Sequence, residues 1–121
     1  MTVTISSHSR LTSLELVLKL NGEYRSRLRA LGLTQLQAGV LLYVQRNNGT
    51  PIVKTAMALA IAPATLSEVL SLLEKKRLLK RQATGTNRRF CRLILTTQGQ
   101  AAALRVHKRI QNIEVQVNLA G

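Results

Sequence analysis

The stretch from Pro63 to Arg92, PATLSEVLSLLEKKRLLKRQATGTNRRFCR, constrains this chain more than any other. Leu66, Val69, Leu70 and Leu73 fall at i, i+3, i+4 and i+7, the spacing of one apolar stripe on an α-helix. The opposite face carries Thr65, Ser67, Glu68 and Ser71, and basic residues follow at Lys75, Lys76, Arg77, Lys80 and Arg81. A turn-forming run, Thr84-Gly85-Thr86-Asn87, then divides two extended pieces, with Arg88, Arg89 and Arg92 on the return. The pattern predicts a helix followed by a β-hairpin wing. Such a pair can place the helix in a DNA major groove and the basic side chains on phosphates.

The chain has 121 residues, enough for one domain with a modest core. With one Phe, two Tyr and no Trp, that core must be built mainly from Leu, Ile, Val and Ala, which leans towards helix. Lys and Arg number 18 against 5 Asp and Glu, so the net charge of +13 exceeds what solubility demands of so small a domain. The excess attracts and steers a polyanion. Nucleic acid is the first candidate; an anionic membrane surface or an acidic protein is the second. The single cysteine can form no internal disulfide. The start, MTVTISSHSR, lacks a basic segment followed by an apolar one, and no 18-residue apolar run occurs, so the expected location is the cytoplasm, with no membrane partner.

Read in order, residues 1–9 are rich in Thr and Ser and are expected to fray. Leu11 to Leu31 reads as a long helix whose apolar side includes Leu14, Val17, Leu18, Tyr24, Leu28 and Leu31, interrupted by Asn21. Gly22 suggests a kink or a close approach, and Gly32 a helix stop. The stripe exceeds what a small core needs, which points to a dimer face. Thr34 with Gln37 forms a capping box for a second helix to about Arg46, with Leu36, Val40, Leu41 and Val44 inward. Pro51 opens a third helix with Ile52, Ala56, Leu59 and Ala60 inward, ending at Ala62-Pro63. The hairpin strands are expected at about Leu79 to Ala83 and Arg89 to Leu95, with Cys91, Leu93 and Leu95 on one face. Thr96 caps a last helix from about Gln98 into the 110s, with Ala101, Leu104, Ile110, Ile113 and Val117 as its apolar positions.

This order of elements resembles the MarR family of winged helix-turn-helix transcription regulators. The resemblance is carried by Leu33-Thr34-Gln35-Leu36-Gln37, by the helix from Ala62 to Arg81, by Asn87-Arg88-Arg89 at the wing tip and by Leu95-Thr96-Thr97-Gln98-Gly99 after it. It covers about residues 11–115. It implies a mainly α fold with a small β-hairpin wing, and a homodimer whose N- and C-terminal helices interlock. Each recognition helix would enter a major groove, with the wing on the minor groove or backbone. Family members are often repressors released by a small ligand or oxidation; the sequence names no effector. Three positions depart from the family pattern. Asn87 replaces the wing Asp, so a brace for the wing Arg would be lost. Arg77 replaces the helix-ending Gly, so the turn is expected to differ. The C-terminal helix is short, leaving less interface and less room for an effector.

The expected organisation is therefore one domain over 1–121, with 11–31 and 98–118 as dimerisation helices and 51–95 as the DNA-binding core. Base readout is assigned to Thr65, Ser67, Glu68 and Ser71: hydroxyls suit several base edges, and Glu accepts from cytosine N4. Backbone and wing contacts are assigned to Lys75, Lys76, Arg77, Lys80, Arg81, Arg88, Arg89 and Arg92, although Arg89 also fits an internal brace of the hairpin. Dimer contacts are assigned to Leu11, Leu14, Val17, Leu18, Ile110, Ile113 and Val117. The recognition face holds no Arg, Asn or Gln, so shape readout should contribute much of the discrimination. Cys91 reads as a small hydrophobe. His8 and His107 lack a ligand constellation, so no metal or cofactor is called for. No catalytic set is visible, and the chain does not read as an enzyme. A sequence-selective regulator of double-stranded DNA is the leading reading; an architectural, replication or partition accessory protein and a winged-helix interaction scaffold stay open beside it.

Overall fold

The computed structural model describes residues 3–5, 11–83 and 91–115. Helix α1 is Ser13–Leu28 and continues into a short 3-10 turn, Arg29–Leu31. Helix α2 is Gln35–Arg46, strand β2 Thr50–Pro51, α3 Ile52–Leu59 and α4 Pro63–Lys75. The wing strands are β3, Leu79–Gln82, and β4, Arg92–Leu95, and α5 is Thr97–Ile110. Strand β1, Val3–Ile5, pairs in parallel with β5, Ile113–Val115. The segment expected to fray therefore contributes a strand, and the last helix ends at Ile110. The apolar residues beyond it suggest more helix, but Ile113 belongs to β5; Val117, the remaining dimer assignment, lies outside the described residues.

Helix starts follow the side chains that cap them. Thr12 and Glu15 form a reciprocal capping box at α1, and Thr34 and Gln37 do the same at α2. Pro63 occupies the first turn of α4, where its missing N–H is harmless. Helix ends are less visible in the sequence. Gly32, Ala60 and Arg77 all take the left-handed conformation after a helical segment, at φ of 67°, 52° and 60°. Ala60 thus ends α3 at Leu59, earlier than Ala62-Pro63 suggests, and is exposed instead of inward. Arg77 keeps the left-handed turn that a glycine would have supplied, so that turn does not differ as expected. Leu78 N–H bonds to the Leu73 carbonyl and Arg77 N–H to the Glu74 carbonyl, a Schellman ending. Gly22 makes no close approach and does not interrupt the helix: α1 runs through it, and an added Cβ would meet open space.

The core joins α2, α4, the sheet and α5. Val40, Leu41, Val44, Leu66, Val69, Leu70, Leu73, Leu79, Leu93, Leu95, Ala102 and Ala103 form its buried cluster. Leu36 is exposed, against expectation, because Val40, Leu41 and Val44 define the inward side of α2. The inward residues of α5 are Ala102, Ala103 and Val106, while Ala101 and Leu104 face outward. The apolar positions of α5 are spaced so that two stripes are readable, and contact with α2 selects the small-residue one. Strand β4 pairs with β3 on one side and with β2 on the other, giving the order β2-β4-β3. The two-residue strand β2 is too short to announce itself in sequence.

Gly99 faces the turn after α4, where a Cβ would overlap the Leu78 carbonyl oxygen. Gly99→Ala should lower stability by about 1–3 kcal/mol in urea unfolding, whereas Gly22→Ala should raise it by roughly 0.5–1 kcal/mol. Hydrogen bonds from Thr12 hold the Glu15 carboxyl below the usual carboxylate range. A lowered folded pKa stabilises above the unfolded pKa and is lost as pH falls through the folded one. Glu15→Gln should therefore be less stable than the parent at neutral pH, and the two stability curves should converge in acid.

Candidate nucleic-acid interface

Helices α3 and α4 turn through 113° at the short break between them. That is the geometry of a helix-turn-helix, and the β3–β4 hairpin beside it makes the unit a winged one. Burial of Leu66, Val69, Leu70 and Leu73 leaves the other face of α4 to solvent, with Thr65, Ser67, Glu68 and Ser71 all exposed on it. These four residues do share one surface. Leu72 joins them at 45% exposure, a residue that the stripe spacing leaves out of the core but that sequence reasoning did not assign to the face. Ser67, Glu68, Ser71 and Leu72 together line a shallow hollow of about 360 Å³.

The basic residues divide by what they already hold. Arg81 Nε donates to Glu74 Oε1 at 2.6 Å and its Nη2 to Ser71 Oγ at 3.0 Å, fastening β3 to α4. Lys76 Nζ donates to the Gly32 carbonyl at 2.7 Å and to Gln37 Oε1 at 3.1 Å, so it ties the end of α4 to the start of α2. Arg92 Nη1 donates to the Gly49 carbonyl at 3.3 Å. Lys75, Arg77 and Lys80 are exposed around the end of α4 and on β3. Arg88, Arg89 and Asn87 lie outside the described residues. The interface assigned from sequence therefore includes three cations that also brace the fold, a role that spacing alone does not reveal.

The first helix presents a different surface. Leu28 is its one buried residue, while Leu14, Val17 and Leu18 are 68%, 50% and 61% exposed. Leu11 is half-buried. Asn21, which interrupts the stripe, accepts from Gln35 Nε2 at 2.7 Å and so links α1 to α2. Ile110 is packed within its own chain against the Leu28, Ala38 and Val106 cluster. An open cleft of about 610 Å³ lies between α1 and the start of α2, with Leu18, Leu33, Arg25 and Arg29 among its walls. Cys91 is a half-buried free thiol. Among the described residues no group of three or more His, Cys, Asp or Glu is placed to hold a metal ion, and no single helix is long and apolar enough to cross a membrane.

Helix α4, the turn before it and the hairpin after it define a winged helix-turn-helix protein. Comparison with solved structures narrows the class: the chain has the MarR-type form of that fold. It superposes on a transcriptional repressor, CouR, solved bound to a 23-mer DNA duplex, with a TM-score of 0.73 and 27% identity, covering 79% of this chain and 68% of that one. A MarR-family transcriptional regulator from Silicibacter pomeroyi matches with a TM-score of 0.71 and 25% identity over 79% of this chain and 64% of that one. The reduced form of MarR from E. coli shares the fold, with a TM-score of 0.73 and 20% identity over 86% of this chain and 79% of that one. By sequence, an uncharacterized HTH-type transcriptional regulator, YhbI of Bacillus subtilis, is 29% identical over 68 residues. That match takes in 56% of this chain and 44% of YhbI, so the chain spans less than half of that relative's length. No protein-family profile matches the sequence.

Arg77 tests the link between fold and surface. Arg77→Gly should stabilise the protein by about 1 kcal/mol, because glycine takes the left-handed conformation without a Cβ penalty. The same change should weaken duplex binding and make the log K against log salt slope shallower by about 0.9, the value of one phosphate contact. Chemical denaturation and anisotropy titrations measure the two effects separately.

Proposed function

We propose that this chain is a sequence-selective, double-stranded DNA-binding transcription regulator that works as a homodimer, with repression as its mode. The observation that carries the reading is the outward face of α4, where Thr65, Ser67, Glu68 and Ser71 are exposed beside a basic wing on a chain of net charge +13. Thr65, Ser67, Glu68 and Ser71 would meet base edges, and Lys75, Arg77 and Lys80 would take phosphates, with Arg88 and Arg89 at the wing. The likeness to CouR, a repressor solved on DNA, supports the same placement. The dimer reading is supported by Leu14, Val17 and Leu18, whose apolar side chains the chain's own core leaves exposed. Two half-sites would then be centred about 34 Å apart on the duplex. The cleft between α1 and α2, with Arg25 and Arg29 on its walls, is where an anionic effector would fit.

A second reading, an architectural or partition DNA binder, rests on the lack of Arg, Asn and Gln on the same face. It uses the same interface with weaker discrimination.

Fluorescence anisotropy on random duplex and on a genome-selected fragment, across a salt series, separates the two. Tighter binding to the selected fragment at physiological salt is the expected result, with a steep negative salt slope. Equal, salt-steep binding to both would favour the architectural reading, and no binding at low salt would sink both. In sedimentation, Leu18→Glu should shift a dimer to monomer and weaken duplex binding with it, while the isolated fold keeps its helix content.

A further inference from the structure

We propose that Leu72 reads the C5-methyl group of a pyrimidine in the major groove; this rests on the DNA-binding reading above. The core claims Leu66, Val69, Leu70 and Leu73 from α4, and Leu72 stands off that stripe at 45% exposure. It lies one helical turn from Glu68 and next to Ser71, and the three share a shallow hollow with Ser67. Their chemistries are complementary. The Glu68 carboxylate, when ionised, only accepts, so it suits an exocyclic amine such as cytosine N4. Ser71 Oγ already accepts from Arg81 Nη2 at 3.0 Å, which leaves its O–H proton for an acceptor on a base edge.

Leu72 offers neither donor nor acceptor. The major-groove feature that an apolar side chain matches is the methyl group at pyrimidine C5. Thymine carries that methyl, and so does 5-methylcytosine, in which the N4 amine stands beside it. The i, i+4 relation of Glu68 and Leu72 places a carboxylate and an apolar side chain as neighbours on one helix face. One pyrimidine edge, or two adjacent ones, presents the matching amine and methyl.

The test starts from a duplex selected out of a random pool with the wild-type protein. Anisotropy then compares it with duplexes in which each thymine in turn becomes deoxyuridine and each cytosine becomes 5-methyldeoxycytidine. At one thymine position, loss of the methyl should weaken wild-type binding about fourfold, the value of burying one methyl group. Leu72→Ala should ignore that replacement, and Leu72→Met, which keeps an apolar contact, should retain part of the response. Tightening by 5-methylcytosine at one position, absent in Leu72→Ala, would support the proposal with that base as the source. The proposal is overturned if the wild type ignores every methyl change, or if Leu72→Ala responds as the wild type does. Failure of the wild type to bind any duplex at low salt overturns the DNA-binding reading, and this proposal with it.

Discussion

The arrangement of the interface depends on the junction where the first turn of α5 closes onto the end of α4. Thr96 makes that junction with three hydrogen bonds. Its backbone N–H donates to the Leu78 carbonyl at 3.1 Å, its hydroxyl donates to the Arg77 carbonyl at 2.7 Å, and the same oxygen accepts from Gly99 N–H at 3.0 Å. The two carbonyls exposed by the left-handed turn are thereby satisfied, and α5 receives its N-cap. Gly99 is required because the Leu78 carbonyl occupies the space where a Cβ would go. The segment Leu95-Thr96-Thr97-Gln98-Gly99 is thus one mechanical unit: a core leucine, a cap and a residue without a side chain. It sets the direction of α4 relative to the sheet and to α5.

A second set of contacts makes cations part of this framework. Lys76 crosslinks the end of α4 to the Thr34–Gln37 capping box, and Arg81 holds Ser71 and Glu74 against β3. Arg81 and Glu74 are partly exposed, so their ion pair contributes a modest stabilisation, typically under about 1 kcal/mol. Its larger consequence is orientation, because it fixes which lone pair of Ser71 is occupied. With only 5 acidic residues for 18 basic ones, most cations have no carboxylate to pair with, and Lys75, Arg77 and Lys80 stand exposed around the end of α4 and on β3. Folding and recognition therefore draw on the same class of residue in different geometries.

The elements carried by regular periodicity or by caps were legible in the sequence. The α4 stripe, the two threonine caps at α2 and α5 and the inward Leu93 and Leu95 all follow from local chemistry. What was not legible has specific causes. Ala60 and Arg77 end their helices without glycine, because the hydrogen bonds of the Schellman endings and the packing around them offset the left-handed conformation. Strand β2 has two residues and exists through its pairing with β4. In α5 the stripe of Ala102, Ala103 and Val106 prevails over Ala101 and Leu104, since the close approach of α2 favours small side chains. The face of α4 was foreseen, yet Leu72 on it was not, because an apolar residue off the stripe carries no local signal for its surroundings.

By itself the sequence determined the class of fold, the position of the recognition helix and the sign of the charge that surrounds it. These are properties of short windows: helical spacing, caps, turn residues and the balance of Lys and Arg over Asp and Glu. The tertiary structure decided which cations hold the framework and which stay at the surface, which stripe of α5 turns inward, and that Leu14, Val17 and Leu18 are left outside the core. Those outcomes depend on partners far apart in the chain, such as Lys76 with Gly32 and Gln37, and no window of sequence contains both ends of the contact.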